Sequence, residues 1–304
     1  MPTVAVILLN WNGGNLTISC IKSLIAGSRR PDLIVVVDNA SEDKSTDQIA
    51  ESFPDIRLIH NSVNLGFAGG NNVAIEQAIA EEYDYIWLLN NDTEVAFDCL
   101  ESLLCYMEST PEVAACCGKI LYYGYRKTIW YAGARIDWWN LNSQHIGAMQ
   151  EDHGQYDNIS QVHFLTGCCM FVRQTSFKSV GLFDERFFAY SEDLDWSIRA
   201  VKQGLKLAYV PDAVLLHKVS ASIKKTRSRT TKGSSSPFAI YLSIRNHFFI
   251  IRKHATHLPH FLYAAVNAIA KAIVYAAGLV ILGRWDKLKS VLNALYDGLA
   301  LRVR

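Results

Sequence analysis

Half of this 304-residue chain is hydrophobic, enough to bury one large core and carry an appendage. A net charge of +1 excludes the overall basic excess expected of a general nucleic-acid binder. The seven cysteines include the vicinal pairs Cys116-Cys117 and Cys168-Cys169 but no CxxC spacing; they read as buried small hydrophobes in a reducing compartment, not as disulfides or zinc ligands. Val4 to Leu9 is too short for a signal-peptide core and has no basic leader, so secretion is not expected.

The first third alternates strand and helix. Thr3–Leu9 reads as a strand, followed by a turn at Asn12-Gly13-Gly14. Asn15 is then the expected N-cap of a helix carrying Ile18, Ile21, Leu24 and Ile25 on one face and stopped by Gly27. Leu33–Val37 and Ile56–His60 read as further buried strands, and a helix is expected after Gly69-Gly70. Tyr85-Ile86-Trp87-Leu88-Leu89 is apolar throughout, the mark of a strand covered on both faces, and it stops abruptly at Asn90-Asn91-Asp92. Leu100, Leu103, Leu104 and Met107 keep helical spacing. This alternation predicts an α/β fold with a mostly parallel central sheet flanked by helices, and ligands bind beyond the carboxyl ends of such strands.

Residues 113–139 and 162–172 are rich in aromatic and β-branched residues and predict strands that extend or flank the sheet, some of them antiparallel. Ser191 can cap a helix with Glu192, Asp193 and Asp195 in its first turn and Leu194, Ile198 and Val201 on one face, ending at Gly204. Strands at Lys206–Val210 and Val214–His217 follow. From Lys218 to Ser236 the composition turns to Lys, Arg, Ser and Thr. Lys218, Lys224, Lys225, Arg227, Arg229 and Lys232 make either a solvated linker or a lid over a diphosphate. Residues 238–301 read as helical and apolar; Phe261–Leu282 is long enough to cross a bilayer, but Asn267 and Lys271 interrupt it, which favours an amphipathic helix lying in the interface.

Four features stand at strand ends. Asp38 ends the second strand, where its carboxylate could meet a base or ribose, or simply cap a turn. Asn64-Leu65-Gly66-Phe67-Ala68-Gly69-Gly70-Asn71-Asn72 combines glycines with a helix start, so that backbone amides could approach a phosphate. Asn90-Asn91-Asp92 offers the hard oxygen donors that Mg²⁺ or Mn²⁺ prefers, although a surface turn has the same composition. Phe187-Phe188-Ala189-Tyr190-Ser191-Glu192-Asp193-Leu194-Asp195-Trp196 sets three acids beside an aromatic cluster, more than helix-dipole complementation needs.

Together these residues resemble the inverting family 2 glycosyltransferases with the GT-A fold, over roughly residues 3–220. Within that family they look closest to the bacterial rhamnosyltransferase-like branch, which shares the Asn10-Trp11-Asn12 opening and a Tyr…Arg-Asn element like Tyr241…Arg245-Asn246. The resemblance implies that Asp38 contacts the nucleotide, with Asn10, Asn12 and Asn91 near it and Asn64, Gly66 and Asn71 shaping the floor beneath. It implies that Asp92, last residue of the family's Asp-x-Asp motif, holds metal together with His217; here Asn90 replaces the first acid. Asp193 matches the catalytic base and Glu192 its partner, while Trp196, Lys224, Arg227 and Arg245 are expected at acceptor or diphosphate. The implied cofactor is Mg²⁺ or Mn²⁺. The implied partners are a nucleoside-diphosphate sugar, first dTDP-L-rhamnose and otherwise another UDP- or dTDP-sugar, a glycan or polyprenyl-diphosphate-linked acceptor, and the cytoplasmic face of the cell membrane, with no nucleic acid.

This reading divides the chain into a catalytic unit at 1–220, a basic loop at 221–236 and a membrane-associating helical region at 237–304. A sugar-nucleotidyltransferase would carry Arg and Lys in the loop after the first strand, and Asn10-Trp11-Asn12-Gly13-Gly14 has neither. A non-catalytic glycan-binding protein would have no use for Asp92, Asp193 and His217 together.

Overall fold

The computed structural model describes residues 1–219 and 236–300. Its N-terminal half runs β1 (Val4–Asn10), α1 (Gly14–Ile25), β2 (Leu33–Asp38), α2 (Ser45–Ser52), β3 (Arg57–His60), α3 (Gly66–Ala80) and β4 (Tyr85–Asn90). Continuous apolar runs make β1 and β4 buried on both faces, and β1 lies between β2 and β4, parallel to both. The chain winds outward from β1 through β2 to β3 and returns across β1 to β4. That reversal places the switch point of the sheet at the ends of β1 and β4, where Leu9 pairs with Asn90 and Asn10 with Asp38.

The second half continues through β5 (Thr93–Val95), α4 (Cys99–Ser109), β6 (Val113–Tyr122), β7 (Tyr125–Tyr131), the β8 (Ala134–Asp137) and β9 (Asn142–His145) hairpin, β10 (Ser160–Val162), β11 (Cys169–Arg173), α5 (Gln174–Val180), α6 (Glu192–Lys202) and β12 (Lys206–His217). Strand order along the sheet is β10-β12-β6-β11-β4-β1-β2-β3. β11 runs antiparallel between β4 and β6, while β6 and β12 are parallel to one another. β5 adds to the far end of β12 and pairs Thr93 with His217, which carries His217 back to the end of β4.

Four local expectations change. The first helix starts at Gly14, with Gly13 and not Asn15 as its N-cap, because a side chain at Gly13 would collide with Asn91 and one at Gly14 with Ser45. The helix expected after Gly69-Gly70 already begins at Gly66. Its glycines cost about 1 kcal/mol each relative to alanine, but a Cβ at Gly70 would press on Leu9 and one at Gly66 would overlap the Phe188 carbonyl. Close packing decides their placement. The two strands expected between Lys206 and His217 are one strand with a bulge between Val210 and Val214, where Ala213 turns its carbonyl onto Gly118. Ser191 precedes α6 but sits in the left-handed region with φ of 74° and makes no side-chain cap bond.

At the C-terminus, α7 (Pro237–His254), α8 (Leu258–Ile281) and α9 (Trp285–Ala300) pack on one another. α7 joins the sheet directly: Phe248, Phe249, Ile250 and Ile251 belong to the same buried cluster as its strands. α8 turns Ala264, Ala268 and Ala272 inward at four-residue spacing and leaves Leu262, Val266, Ile273, Val274 and Ile281 exposed. Only 28% of its most apolar 18-residue window is buried, and among the described residues it is the one helix long and apolar enough to cross a membrane.

Candidate active site

The ends of β1, β2 and β4 are joined by polar side chains. Asn10 Nδ2 donates to Asp38 Oδ1 at 3.0 Å, and Thr17 Oγ1 donates to Asn10 Oδ1 at 2.9 Å. Asn91 Nδ2 in turn donates to Thr17 Oγ1 at 2.9 Å. Ser41 supplies Asp38 with its hydroxyl at 2.5 Å and its amide at 3.1 Å. Asn10 is fully buried and Asp38 nearly so, and the mutual bonding keeps both from being costly. Asn12, with φ of 52°, uses Oδ1 to accept from the amides of Glu42 and Asp43 and so shapes the rim. Asn64 Oδ1 accepts from Asn39 Nδ2 and from Gly66 N, fixing the entry to α3, and Asn71 Nδ2 donates to Phe67 O.

Asp92 and His217 meet across the sheet. His217 Nε2 lies 3.0 Å from Asp92 Oδ1, with the imidazole 8% and the carboxylate 15% exposed. The Trp130 ring stands edge-on to the imidazole, centroids 4.8 Å apart at 88°, and holds its plane. Among the described residues no group of three or more His, Cys, Asp or Glu gathers for a metal. A carboxylate and an imidazole on one point nevertheless suit a hard cation that takes its remaining ligands from substrate phosphates and water. Asp92 and His217 are the residues that could hold such a cation.

Asp193 reaches the same region from α6. Its Oδ2 accepts from the Gly167 amide at 2.9 Å and its Oδ1 from Leu194 N at 2.8 Å. One residue on, the Cys168 carbonyl accepts from Asn90 N at 3.0 Å, so the Gly167-Cys168 turn ties the catalytic-base candidate to the end of β4. The buried Cys168 thiol is pushed well above its ordinary range by burial first, then by Asp92, with Asp193 adding to it; both carboxylates act on this one thiol. Glu192 is 4% exposed, and its Oε2 has no hydrogen-bond partner among the described residues. Burial raises both neighbouring carboxyls, Glu192 well above the usual range. Asp193 has two backbone donors on its oxygens and Glu192 keeps an unpartnered one, which favours the ionised form more at Asp193 than at Glu192. A first-turn carboxylate alone would be a weak base; desolvation makes Asp193 a stronger one.

The loop leading to these acids is strained. Phe188, Tyr190 and Ser191 all have positive φ, at 65°, 68° and 74°. Such residues cost about 1–3 kcal/mol each and persist only when the surroundings over-determine them.

Residues 5–181 match the family described as Glycosyl transferase family 2. The chain belongs to that family. It is 28% identical over 236 residues to the N-acetylglucosaminyl-diphospho-decaprenol L-rhamnosyltransferase of Mycobacterium tuberculosis, covering 71% of this chain and 75% of that one. It is 24% identical over 269 residues to the dTDP-rhamnosyl transferase RfbF of Shigella flexneri, covering 88% and 86%. The fold is shared with the mannosyltransferase PcManGT from Pyrobaculum calidifontis, solved with GDP-Man and Mn²⁺, at a TM-score of 0.55, 16% identity and coverage of 98% and 87%.

Some residues of this glycosyltransferase take other places than the sequence implies. Trp196 cannot meet an acceptor: it is fully buried, packs on Phe177, and donates its indole N–H to Gly181 O at 2.9 Å. Arg245 is 3% exposed and spends its guanidinium on the carbonyls of Arg186 and Phe187 and on Asn246 Oδ1, not on an anion. Lys224 and Arg227 lie outside the described residues. Asp195 anchors the C-terminal helices, bonded to Arg199, Lys253 and His254. Burial pushes its carboxyl up, but His254, Arg199 and Lys253 outweigh that and leave it below the usual range. Sequence reasoning missed this anchor and the Gly167 amide. The Arg252-Lys253-His254 run that ends α7 was the available sign of the first, and Thr166-Gly167 before the cysteine pair of the second.

Proposed function

We propose that this family 2 glycosyltransferase is an inverting, divalent-cation-dependent enzyme that moves a sugar, L-rhamnose from dTDP-L-rhamnose as first choice, onto a hydroxyl of a polysaccharide or lipid-linked glycan. The observation that carries the reading is the Gly167-Cys168 turn, which bonds Asp193 through the Gly167 amide and the end of β4 through the Cys168 carbonyl, two residues before the Asp92 that meets His217. The nucleotide would lie along the β1 and β2 ends, against Asp38, with Asn10 holding that carboxylate, Asn91 joined to Asn10 through Thr17, and Asn12, Asn64, Gly66 and Asn71 shaping the surrounding backbone. A divalent cation held by Asp92 and His217 would offset the charge growing on the departing diphosphate.

Asp193 takes the proton of the acceptor hydroxyl as its oxygen attacks the anomeric carbon from the face opposite the diphosphate. The bond to the diphosphate breaks as the new glycosidic bond forms, and the configuration inverts. Glu192, neutral beside it, leaves a single negative charge at the base. The two rhamnosyltransferase relatives support the donor, and the mycobacterial one supports a polyprenyl-diphosphate acceptor.

The exposed apolar residues of α8, joined by Trp285, Leu292, Tyr296 and Leu299, support a region at 237–304 that lies on the cytoplasmic membrane surface beside the catalytic unit at 1–220. A panel of dTDP-, UDP- and GDP-sugars, each with and without Mg²⁺ or Mn²⁺, tests the proposal. Release of dTDP from dTDP-L-rhamnose that requires the cation is expected. Glycan binding with no affinity for any nucleotide would overturn it, and turnover of a UDP-sugar alone would reassign the donor.

A further inference from the structure

The most strained part of the chain lies just ahead of the proposed base, and two side chains of a distant helix hold it. Asn246 is fully buried on α7, and its Nδ2 reaches the carbonyls of Phe187, Ala189 and Tyr190 at 3.0, 2.8 and 2.6 Å. Arg245 Nη2 donates to the carbonyls of Arg186 and Phe187 at 3.1 and 3.0 Å, and Arg245 also donates to Asn246 Oδ1 and so fixes which end of the amide faces the loop. Carbonyls that alternate along an extended chain are here turned to one side. The backbone achieves this only by placing Phe188, Tyr190 and Ser191 at positive φ.

The opposite side of the loop is closed as well. Ala68 N donates to Phe188 O at 3.1 Å, and Gly66 leaves the space that this carbonyl fills. Ser191 then redirects the chain into α6, whose first two residues are Glu192 and Asp193.

We infer that Asn246, supported by Arg245, is a positioning residue for transfer: it stabilises the left-handed loop conformation that aims α6 and seats Asp193 on the Gly167 amide. This rests on the reading of Asp193 as base. The bonds of Asn246 and Arg245 run to residues 186, 187, 189 and 190 and to one another, and none runs to Asn10, Asp38 or Asn91 at the proposed nucleotide site, so their loss acts on turnover and not on nucleotide affinity.

The test compares full-length wild type, Asn246→Leu, Asn246→Leu with Ser191→Gly, and Asp193→Asn. Release of nucleoside diphosphate from dTDP-L-rhamnose, or from whichever sugar the donor panel selects, gives kcat; calorimetry with that nucleoside diphosphate and Mn²⁺ gives affinity. Leucine keeps the branched shape of Asn246, with larger methyl groups at its tips, and removes its donors. The expected result is a fall in kcat of about 10²-fold, the cost of a small misplacement of a reacting group, with nucleotide affinity unchanged. Glycine adopts positive φ without strain, so Ser191→Gly in that background restores part of the lost turnover. That rescue would not follow from a general loosening of the fold.

Wild-type kcat in Asn246→Leu, a parallel loss of affinity, or no rescue overturns the inference. If Asn246→Leu does not fold, Arg245→Lys, which keeps a cation beside the Tyr241 and Phe249 rings that the guanidinium faces but gives up the fork on the loop carbonyls, must lower kcat at constant affinity or the inference fails. Full turnover in Asp193→Asn would instead overturn the assignment of the base, a different failure.

Discussion

The two sides of the site are built in opposite ways. On the nucleotide side, parallel register brings Asn10, Asp38 and Asn90 level at the sheet's edge, and neighbouring side chains satisfy one another there. On the acid side a loop with three left-handed residues delivers Glu192 with an unpartnered oxygen, and its shape depends on α7, some sixty residues further on. Regular secondary structure positions the first side, with Asn12 and Ala40 at positive φ on its rim. The second is positioned against local preference, and the surroundings must supply what the backbone does not favour.

The largest expected effect breaks this contrast at the base. Asp193→Asn should lower kcat by about 10²–10⁴-fold, the usual contribution of general base catalysis, and leave nucleotide affinity intact. Because burial raises the Asp193 carboxyl, wild-type kcat should rise with pH through a value above the ordinary 3.9 of an aspartate. A pH profile of kcat for wild type and variant checks both.

Asp195→Asn tests the anchor beneath the acid side. It strands Arg199, Lys253 and His254 around a neutral amide, and urea unfolding should show a loss of about 3–5 kcal/mol, as for a broken buried pair. The folded Asp195 carboxyl lies below its unfolded value. Its stabilisation is therefore present above the unfolded pKa and lost as pH falls through the folded one, so the gap between wild type and variant should close in acid.

On the nucleotide side, His217→Ala should weaken Mn²⁺-dependent nucleotide binding by at least about tenfold, the low end of what losing even an outer-shell partner of a metal costs. Calorimetry with and without Mn²⁺ reads it, and an equal loss without the cation would show that His217 acts on the nucleotide directly.

The smallest effect sharpens the comparison. Glu192 is raised by burial and by Asp193, so folding favours its protonated form. Stability should fall as pH climbs from the unfolded value of about 4.3 toward the raised folded one. Glu192→Gln removes that fall and should stabilise the protein by of order 1 kcal/mol at neutral pH, where folding no longer opposes the ionisation of a buried carboxyl, and by nothing near pH 4. Thermal melts at both pH values decide it.

This contrast also explains what could be read beforehand. Apolar runs that end in Asp38 and Asn90-Asn91-Asp92 announce strand ends, because burial on both faces forbids polar residues earlier in the strand. The parallel sheet and the nucleotide side were therefore legible. Trp196 looked like an acceptor contact because composition does not say which face of a helix turns inward. Arg245 looked like an anion ligand because its partners are backbone carbonyls, which have no sequence signature. The glycines of α3 also allow a close approach to Leu9 and Phe188, which composition does not show. The left-handed run at 188–191 carries no glycine and could not be foreseen, since it exists only against α3 and α7.

The most direct measurement is a crystal structure with Mn²⁺ and dTDP-L-rhamnose, the metal located by its anomalous signal. The account predicts the ion between Asp92, His217 and the diphosphate, the nucleotide against Asp38, and the anomeric carbon facing Asp193. A nucleotide bound away from the β1 and β4 ends, or a metal with neither Asp92 nor His217 as ligand, would contradict it.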